Sequence, residues 1–180
     1  RPFVRLKWAQ TLDGRAAARD GSSRWITGAE SQAESHAIRA SVDAVVIGAG
    51  TLIADDPSLT VREAVGRQPT RFVVAGDRPL PRNAKVFTDD FRYLTWIVAD
   101  PAKASYERAL SLCGDQVLPW DGRDWTALGR AFLRAGCHYL MIEGGPSFLA
   151  SCIKAGWWDT LTVFVAPTIL ADGLAVPGSL

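Results

Sequence analysis

Short runs of β-branched and aromatic residues, closed by Gly, Pro or Asp, recur along the chain: AVVIG (44–48), RFVVAG (71–76), YLTWIVA (93–99), YLMIEGG (139–145) and DTLTVFVAP (159–167). Runs this brief and this continuously apolar read as strands buried on both faces, as in a mostly parallel sheet; a half-wet antiparallel strand would alternate. Parallel strands need crossovers, and helical patterns lie between the runs. Thr27-Gly28-Ala29-Glu30 has the form of a capping box and opens GAESQAESHAIRASV. DWTALGRAFLRAG is apolar at 125, 128, 132 and 135 and stops at Gly136, and PSFLASCIKAG begins with Pro146 and ends at Gly156. An N-terminal strand from Phe3 to Trp8 enters a turn at Asp13-Gly14, and QVLPW adds a weaker strand. The expectation is an α/β fold: a single three-layer domain over residues 1–180 with a mostly parallel central sheet and its ligand at the strand carboxyl ends.

Composition narrows the function classes. With 20 basic and 19 acidic residues interleaved, the net charge of +1 offers no broad footprint for nucleic acid or an anionic membrane, so any anion must meet a local site. The longest nearly apolar stretch, LTVFVAPTILA, is too short to span a bilayer, and a cytoplasmic protein is expected. Cys113, Cys137 and Cys152 lack metal-ligand spacing and read as inert thiols, with no metal site expected. The chain begins at Arg1 without methionine, so it is expected to be a portion of something longer, with a further N-terminal domain.

Chemistry concentrates at two glycine-bearing strand ends. After AVVIG the chain must turn sharply at Gly48 and Gly50, where glycines permit positive φ and let backbone amides approach a ligand. In YLMIEGGPSFL, Gly144-Gly145 joins a strand to a helix whose first amides favour phosphate. Two such cradles point to a dinucleotide; singly, each also reads as a tight turn, and neither matches GxGxxG or the P-loop. Between them, GAGTLIADDPSLTVR (48–62) carries Asp55 and Asp56, which point apart and do not form one acid–base pair. Asp56, before a proline, reads as a solvated turn residue. Arg39 and Arg62 read either as solvated surface cations or as anion contacts, and Lys7, in an otherwise apolar strand, sits on an exposed face or in a site.

The segments LKWAQTLDGR, GSSRWIT, the helix with His36 and Arg39, DAVVIGAGTLIADDPSLTVR, PTRFVVAG, MIEGGPSFLASCIKAG and WDTLTVFVAP together resemble the pyrimidine reductase domain of the bifunctional riboflavin-biosynthesis deaminase-reductase. They run in that family's order from about Pro2 to Pro167. The resemblance implies a dihydrofolate-reductase-like fold and NADPH-dependent reduction of the ribose of 5-amino-6-(5-phosphoribosylamino)uracil to a ribityl chain. It implies substrate contacts at Ser23, Arg39, Leu59 and Arg62. Cofactor contacts fall at Ala9, Trp25, Thr27, Gly48, Gly50 and Thr51, with the pyrophosphate turn at Gly144, Gly145, Pro146 and Ser147. Lys7, Asp55 and Glu143 lie where the family places polar groups near the reacting ribose, for proton delivery and hydroxyl binding. Gly76 stands where relatives often carry a hydroxyl near the adenosine ribose, which leaves Arg78 or Arg71 for the cofactor's 2′-phosphate. A phosphorylated ribosylaminopyrimidine is the expected small-molecule partner, with a deaminase domain upstream or in trans and a homodimer expected. The zinc-deaminase signature is missing from the sequence.

Overall fold

The structure, a computed structural model, describes residues 1–19 and 28–177. In chain order its elements are β1 (Phe3–Thr11), β2 (Arg15–Ala17), α1 (Ala29–Ser41), β3 (Ala44–Gly48), α2 (Ala49–Asp55), β4 (Thr70–Val74), α3 (Lys85–Thr88), β5 (Thr95–Ala99), α4 (Ala104–Cys113), β6 (Val117–Pro119), α5 (Trp125–Arg134), β7 (Tyr139–Glu143), α6 (Pro146–Lys154), β8 (Thr160–Ala166) and β9 (Leu174–Ala175). Among the described residues, seven strands form one sheet in the order β6-β5-β4-β3-β7-β1-β8, and every neighbouring pair in it is parallel. The apolar runs are thus the sheet, as their continuity requires.

Parity along each strand sorts the core into two layers. Val4, Leu6, Ala44, Val46, Phe72, Leu140 and Ile142 face Leu128 and Phe132 of α5 and Leu149 and Cys152 of α6. The alternate residues Val45, Ile47, Val73 and Met141 face Ile38 of α1, Leu52 of α2 and Val86 of α3. A third cluster packs Ala109 of α4 on Ile97, Ala99 and Val117. Helices therefore cover both faces, and polar side chains of the inner strands can reach a ligand only at the strand ends.

Three features depart from the sequence pattern. The N-cap of α1 is Gly28, which supplies no side-chain cap, and Thr27 of the expected capping box lies outside the described residues. The stretch after Gly48, read as a turn, continues directly as helix α2, whose C-cap Asp56 has φ +40° and returns its N–H to the Leu52 carbonyl. Asp56 is more than a solvated turn residue, because its Oδ1 accepts the Lys85 N–H at 2.8 Å and ties the end of α2 to α3. Finally, β2 and β9 pair antiparallel as a separate ribbon that no periodicity signals.

Arg71 is the most deeply closed charged side chain among the described residues, at 1% exposure. It holds both oxygens of Asp89 at 2.7 and 2.9 Å, the Ser58 carbonyl at 2.8 Å and the Val86 carbonyl at 2.9 Å. These bonds pin α3 and the segment after α2 to β4, and they leave Arg71 no part in binding a ligand. Removing one partner of a buried pair strands the other, so Arg71→Met is expected to cost about 3 kcal/mol. Urea unfolding should show a lower midpoint at unchanged slope; an unchanged midpoint would refute this role.

Candidate active site

A cleft of about 780 Å³ crosses the carboxyl ends of β1, β7, β3 and β4, where a parallel sheet gathers its strand-to-helix turns. Its outer wall is the β2–β9 ribbon, through Ala16, Ala17 and Leu174. Asp13 holds that ribbon's approach in place: its carboxylate accepts the Thr11 hydroxyl at 2.6 Å and the Ala171 N–H at 2.8 Å. Cleft volumes of roughly 300–1,000 Å³ are usual for small-molecule sites, and this one stands in the upper part of that range.

At one end the floor is ionic. Parallel register places Lys7 of β1 directly beside Glu143 of β7. Lys7 Nζ lies 3.7 Å from Glu143 Oε2, and Arg39 of α1 donates from Nε to Glu143 Oε1 at 2.7 Å. Glu143 is only 6% exposed. Burial by itself raises its pKa, but Arg39 and then Lys7 outweigh burial and hold the carboxyl below its ordinary value. The group is therefore a carboxylate fastening two cations, and the three together carry one net positive charge facing the cleft. Lys7 also stands 5.3 Å from the centroid of the Phe164 ring.

Asp55, at the end of α2, lines the same cleft and has no hydrogen-bond or ion-pair partner among the described residues. Its side chain reaches solvent at the rim yet loses part of its hydration there, which raises its pKa. Leu59 is 2% exposed, lines the cleft and adopts φ +57°, a conformation costly for a branched side chain. Arg71, gripping the preceding carbonyl, holds it there.

The two glycine turns pack on each other. Thr51 Oγ1 accepts the Gly145 N–H at 2.6 Å. A Cβ on Gly144, whose φ is +125°, would lie 2.5 Å from that oxygen, and one on Gly48 would lie 3.2 Å from Phe148 Cβ. Gly144 and Gly48 thus make room for the neighbouring turn, the tight-turn use of glycine weighed above beside the approach of a ligand. The Gly145 amide is engaged by Thr51; the Ser147 and Phe148 amides precede the first hydrogen bond of α6, Leu149 N–H to the Gly145 carbonyl.

Of the residues expected from sequence, the cleft brings together Lys7, Ala9, Arg39, Gly48, Gly50, Thr51, Asp55, Leu59, Glu143, Gly144, Gly145, Pro146 and Ser147. Arg62 is not brought to the lining: its Nη1 donates to Ser58 Oγ at 3.1 Å and Thr60 Oγ1 at 3.3 Å. Ser23, Trp25 and Thr27 lie outside the described residues. The ribbon wall and Phe148 escaped the sequence reading, since residues 15–17 and 174–175 meet only in three dimensions.

A parallel α/β sheet with glycine turns and a ligand cleft at its carboxyl edge defines a small-molecule-binding domain of the nucleotide-binding type. More narrowly, this chain belongs to the RibD C-terminal domain family, which it matches over residues 2–177. It is 38% identical over 177 residues to riboflavin biosynthesis protein RibD of Aquifex aeolicus, covering 98% of this chain and 49% of that protein. The RibD structure from Acinetobacter baumannii superposes with a TM-score of 0.83 at 28% identity, over 99% of this chain and 50% of that one. The diaminohydroxyphosphoribosylaminopyrimidine deaminase/5-amino-6-(5-phosphoribosylamino)uracil reductase of Thermotoga maritima gives a TM-score of 0.81 at 28% identity, over 98% and 48%. The chain thus spans about half the length of these relatives. No helix among the described residues is long and apolar enough to cross a membrane.

The depressed Glu143 pKa fixes a sign. Its contribution to stability is present above the ordinary value of 4.5 and is lost as pH falls through the lower folded value. Glu143→Gln leaves Lys7 and Arg39 facing each other without a counter-charge, and is expected to lose about 1.5–3 kcal/mol at pH 7. The gap between the two proteins in urea midpoint should narrow as pH drops below 4.5. A gap independent of pH would show that Glu143 is not ionised in the fold.

Proposed function

We propose that this chain is an NADPH-dependent reductase that converts the ribose of 5-amino-6-(5-phosphoribosylamino)uracil to the ribityl chain in riboflavin biosynthesis. The observation that carries the reading is the buried Glu143 carboxylate fastening Lys7 and Arg39 at the end of the cleft. Family membership supports it, and so does the Thermotoga maritima relative's name, which couples a deaminase to this reductase. A deaminase partner, in the same chain or in trans, would supply the substrate.

The residues present fit a nicotinamide dinucleotide. Above Gly76 there is nothing within 4 Å of where a Cβ would stand, and a Cβ on Gly50 would have only Arg78 Nη1 at 3.9 Å. Backbone can therefore be approached closely on this side of the cleft. Ser147 and Phe148 at the start of α6 have amides to offer a pyrophosphate. When bound, the nicotinamide supplies a hydride.

In the ring-opened aminosugar the reducible group is the C1 imine. A hydride adds to carbon as the C=N π bond breaks, and nitrogen takes a proton, giving a C–H and an N–H bond. Glu143, held ionised, is badly suited to give that proton. Its work is to fix Lys7, whose ammonium can donate to the developing amine or orient the ribose hydroxyls. Asp55, with its raised pKa, is the second group able to carry a proton at the cleft. Arg39 reaches the cleft from α1, and its charge suits the substrate's phosphate.

Mixing the protein with NADPH and the deaminated substrate should consume nicotinamide absorbance; absence of turnover would sink the reading. Within it, Lys7→Met is expected to lower kcat and kcat/KM together by about 10²–10⁴-fold with NADPH affinity little changed. Asp55→Asn should act more on KM. If both variants keep normal kcat, the proton comes from water.

A further inference from the structure

Four side chains grip the backbone of residues 58–62, the segment that carries Leu59 into the cleft. Arg71 donates to the Ser58 carbonyl at 2.8 Å, and Arg39 Nη1 donates to the Thr60 carbonyl at 3.4 Å. Gln68 accepts the Val61 N–H at 2.8 Å and donates to the Val61 carbonyl at 2.9 Å. The fourth is His36 of α1, whose Nδ1 accepts the Arg62 N–H at 3.3 Å. Leu59 stands among these grips at φ +57°. A branched residue at positive φ relaxes unless its surroundings hold it, so each grip bears on where Leu59 stands.

His36 is 4% exposed and does not line the cleft. It stands three residues before Arg39, the spacing of neighbours on one helix face. The two therefore tie the same segment to α1, Arg39 at Thr60 and His36 at Arg62. An N–H that meets Nδ1 needs a bare ring nitrogen there, which assigns the neutral ring's hydrogen to Nε2. A protonated ring would set two donors against each other and add a further cation beside Arg39 and Arg62.

We infer that His36 is a positioning residue: by accepting at Nδ1 it holds the 58–62 segment on α1, and so sets where Leu59 and Arg39 stand for the substrate. The inference rests on the reductase reading above, in which Arg39 meets the substrate's phosphate. Groups on several elements bear on the ring's proton. Burial lowers its pKa from the ordinary 6.5, Arg39 of α1 and Arg62 of the gripped segment lower it further, and Glu63 and the Thr60 carbonyl pull it back up. Glu143 of β7, which also holds Lys7 of β1, is within reach of the same charge. The ring is therefore neutral at pH 7 and takes a proton only as pH falls below 6.5, and the grip on Arg62 is lost in that step.

The test compares the wild-type chain with His36→Leu, which removes the acceptor, and His36→Asn, whose side-chain oxygen replaces Nδ1 but does not titrate. KM for the deaminated substrate is measured from about pH 5 to 8, with NADPH affinity by calorimetry and thermal melting as the fold control. The substrate's phosphate titrates at about pH 6 as well, but alike for all three proteins, so the differences between the curves carry the answer. At pH 7, His36→Leu is expected to raise KM by about 3- to 10-fold with NADPH affinity unchanged, and His36→Asn to restore it. Below pH 6.5 the wild-type KM should climb more steeply than that of His36→Asn. Parallel curves for those two proteins overturn the inference. So does His36→Leu with an unchanged KM, or with equal losses of substrate and NADPH binding. Should His36→Leu not fold, the wild-type and His36→Asn curves decide. Nitrogen NMR needs no turnover: the chain has two histidines, His36 and His138, and a His36 Nδ1 that carries a proton at pH 7 refutes the grip. A chain without turnover fails the reductase reading, and the grip is then judged by the nitrogen spectrum alone.

Discussion

Every strand of the main sheet runs in the same direction, and the rest of the molecule follows from that. Parallel neighbours cannot be joined by tight hairpins, so each connection must cross a face of the sheet, and the crossing helices bury both faces. Inner strands then have no wet side on which to place a functional group. Chemistry is confined to the edge where strands end, and all the strand-to-helix turns stand on that same edge. Lys7 and Glu143 meet because β1 and β7 are parallel neighbours in register, not because they are near in sequence.

Charge placement in the core shows what this arrangement permits. Arg71 and Glu143 are both nearly sealed from water, and each is matched by opposite charge. Arg71 spends its Nη donors on Asp89 and on backbone carbonyls, while its buried Nε has no partner, and its role is to hold loops. Glu143 is approached by two cations, which leaves one positive charge in excess at a surface that opens into the cleft. The desolvation cost of burying a carboxylate is offset there by Arg39 and Lys7, and the same attraction fixes both cations in place.

Most of the sheet was legible in the sequence because buried parallel strands are written as unbroken apolar runs. α5 and α6 were legible for the same local reason, as one apolar face with a glycine after the end. α4 was not: its contacts come from Tyr106, Ala109, Leu110 and Cys113 amid polar residues, a stripe that means little until β5 and β6 lie beneath it. The cleft residues on strand ends were found through motif resemblance, whereas their partners were not. Nothing in the local pattern says that Arg39 bonds Glu143 across 104 residues, or that Arg62 turns to Ser58 and Thr60. Tertiary geometry alone separates the cation in the cleft from the one beside it.

Glycines at a strand end show the same limit more sharply. A missing side chain can make room for a ligand or for another piece of the chain, and sequence does not distinguish these uses. Here Gly144 makes room for Thr51, and Gly48 makes room for Phe148, so the turns after β7 and β3 interlock. The Thr51 hydroxyl oxygen then accepts the Gly145 amide N–H, removing one of the donors that a glycine-rich turn would otherwise offer. Gly76 is different, because nothing lies within 4 Å of where its Cβ would stand, and Gly50 would meet only Arg78 Nη1 at 3.9 Å. The amides that precede the first hydrogen bond of α6 are those of Ser147 and Phe148, while the interlocked glycines set the spacing between the two turns. A substitution at Gly144 would therefore disturb the relative placement of β3 and β7 before it touched any ligand, so loss of binding there is not evidence of contact.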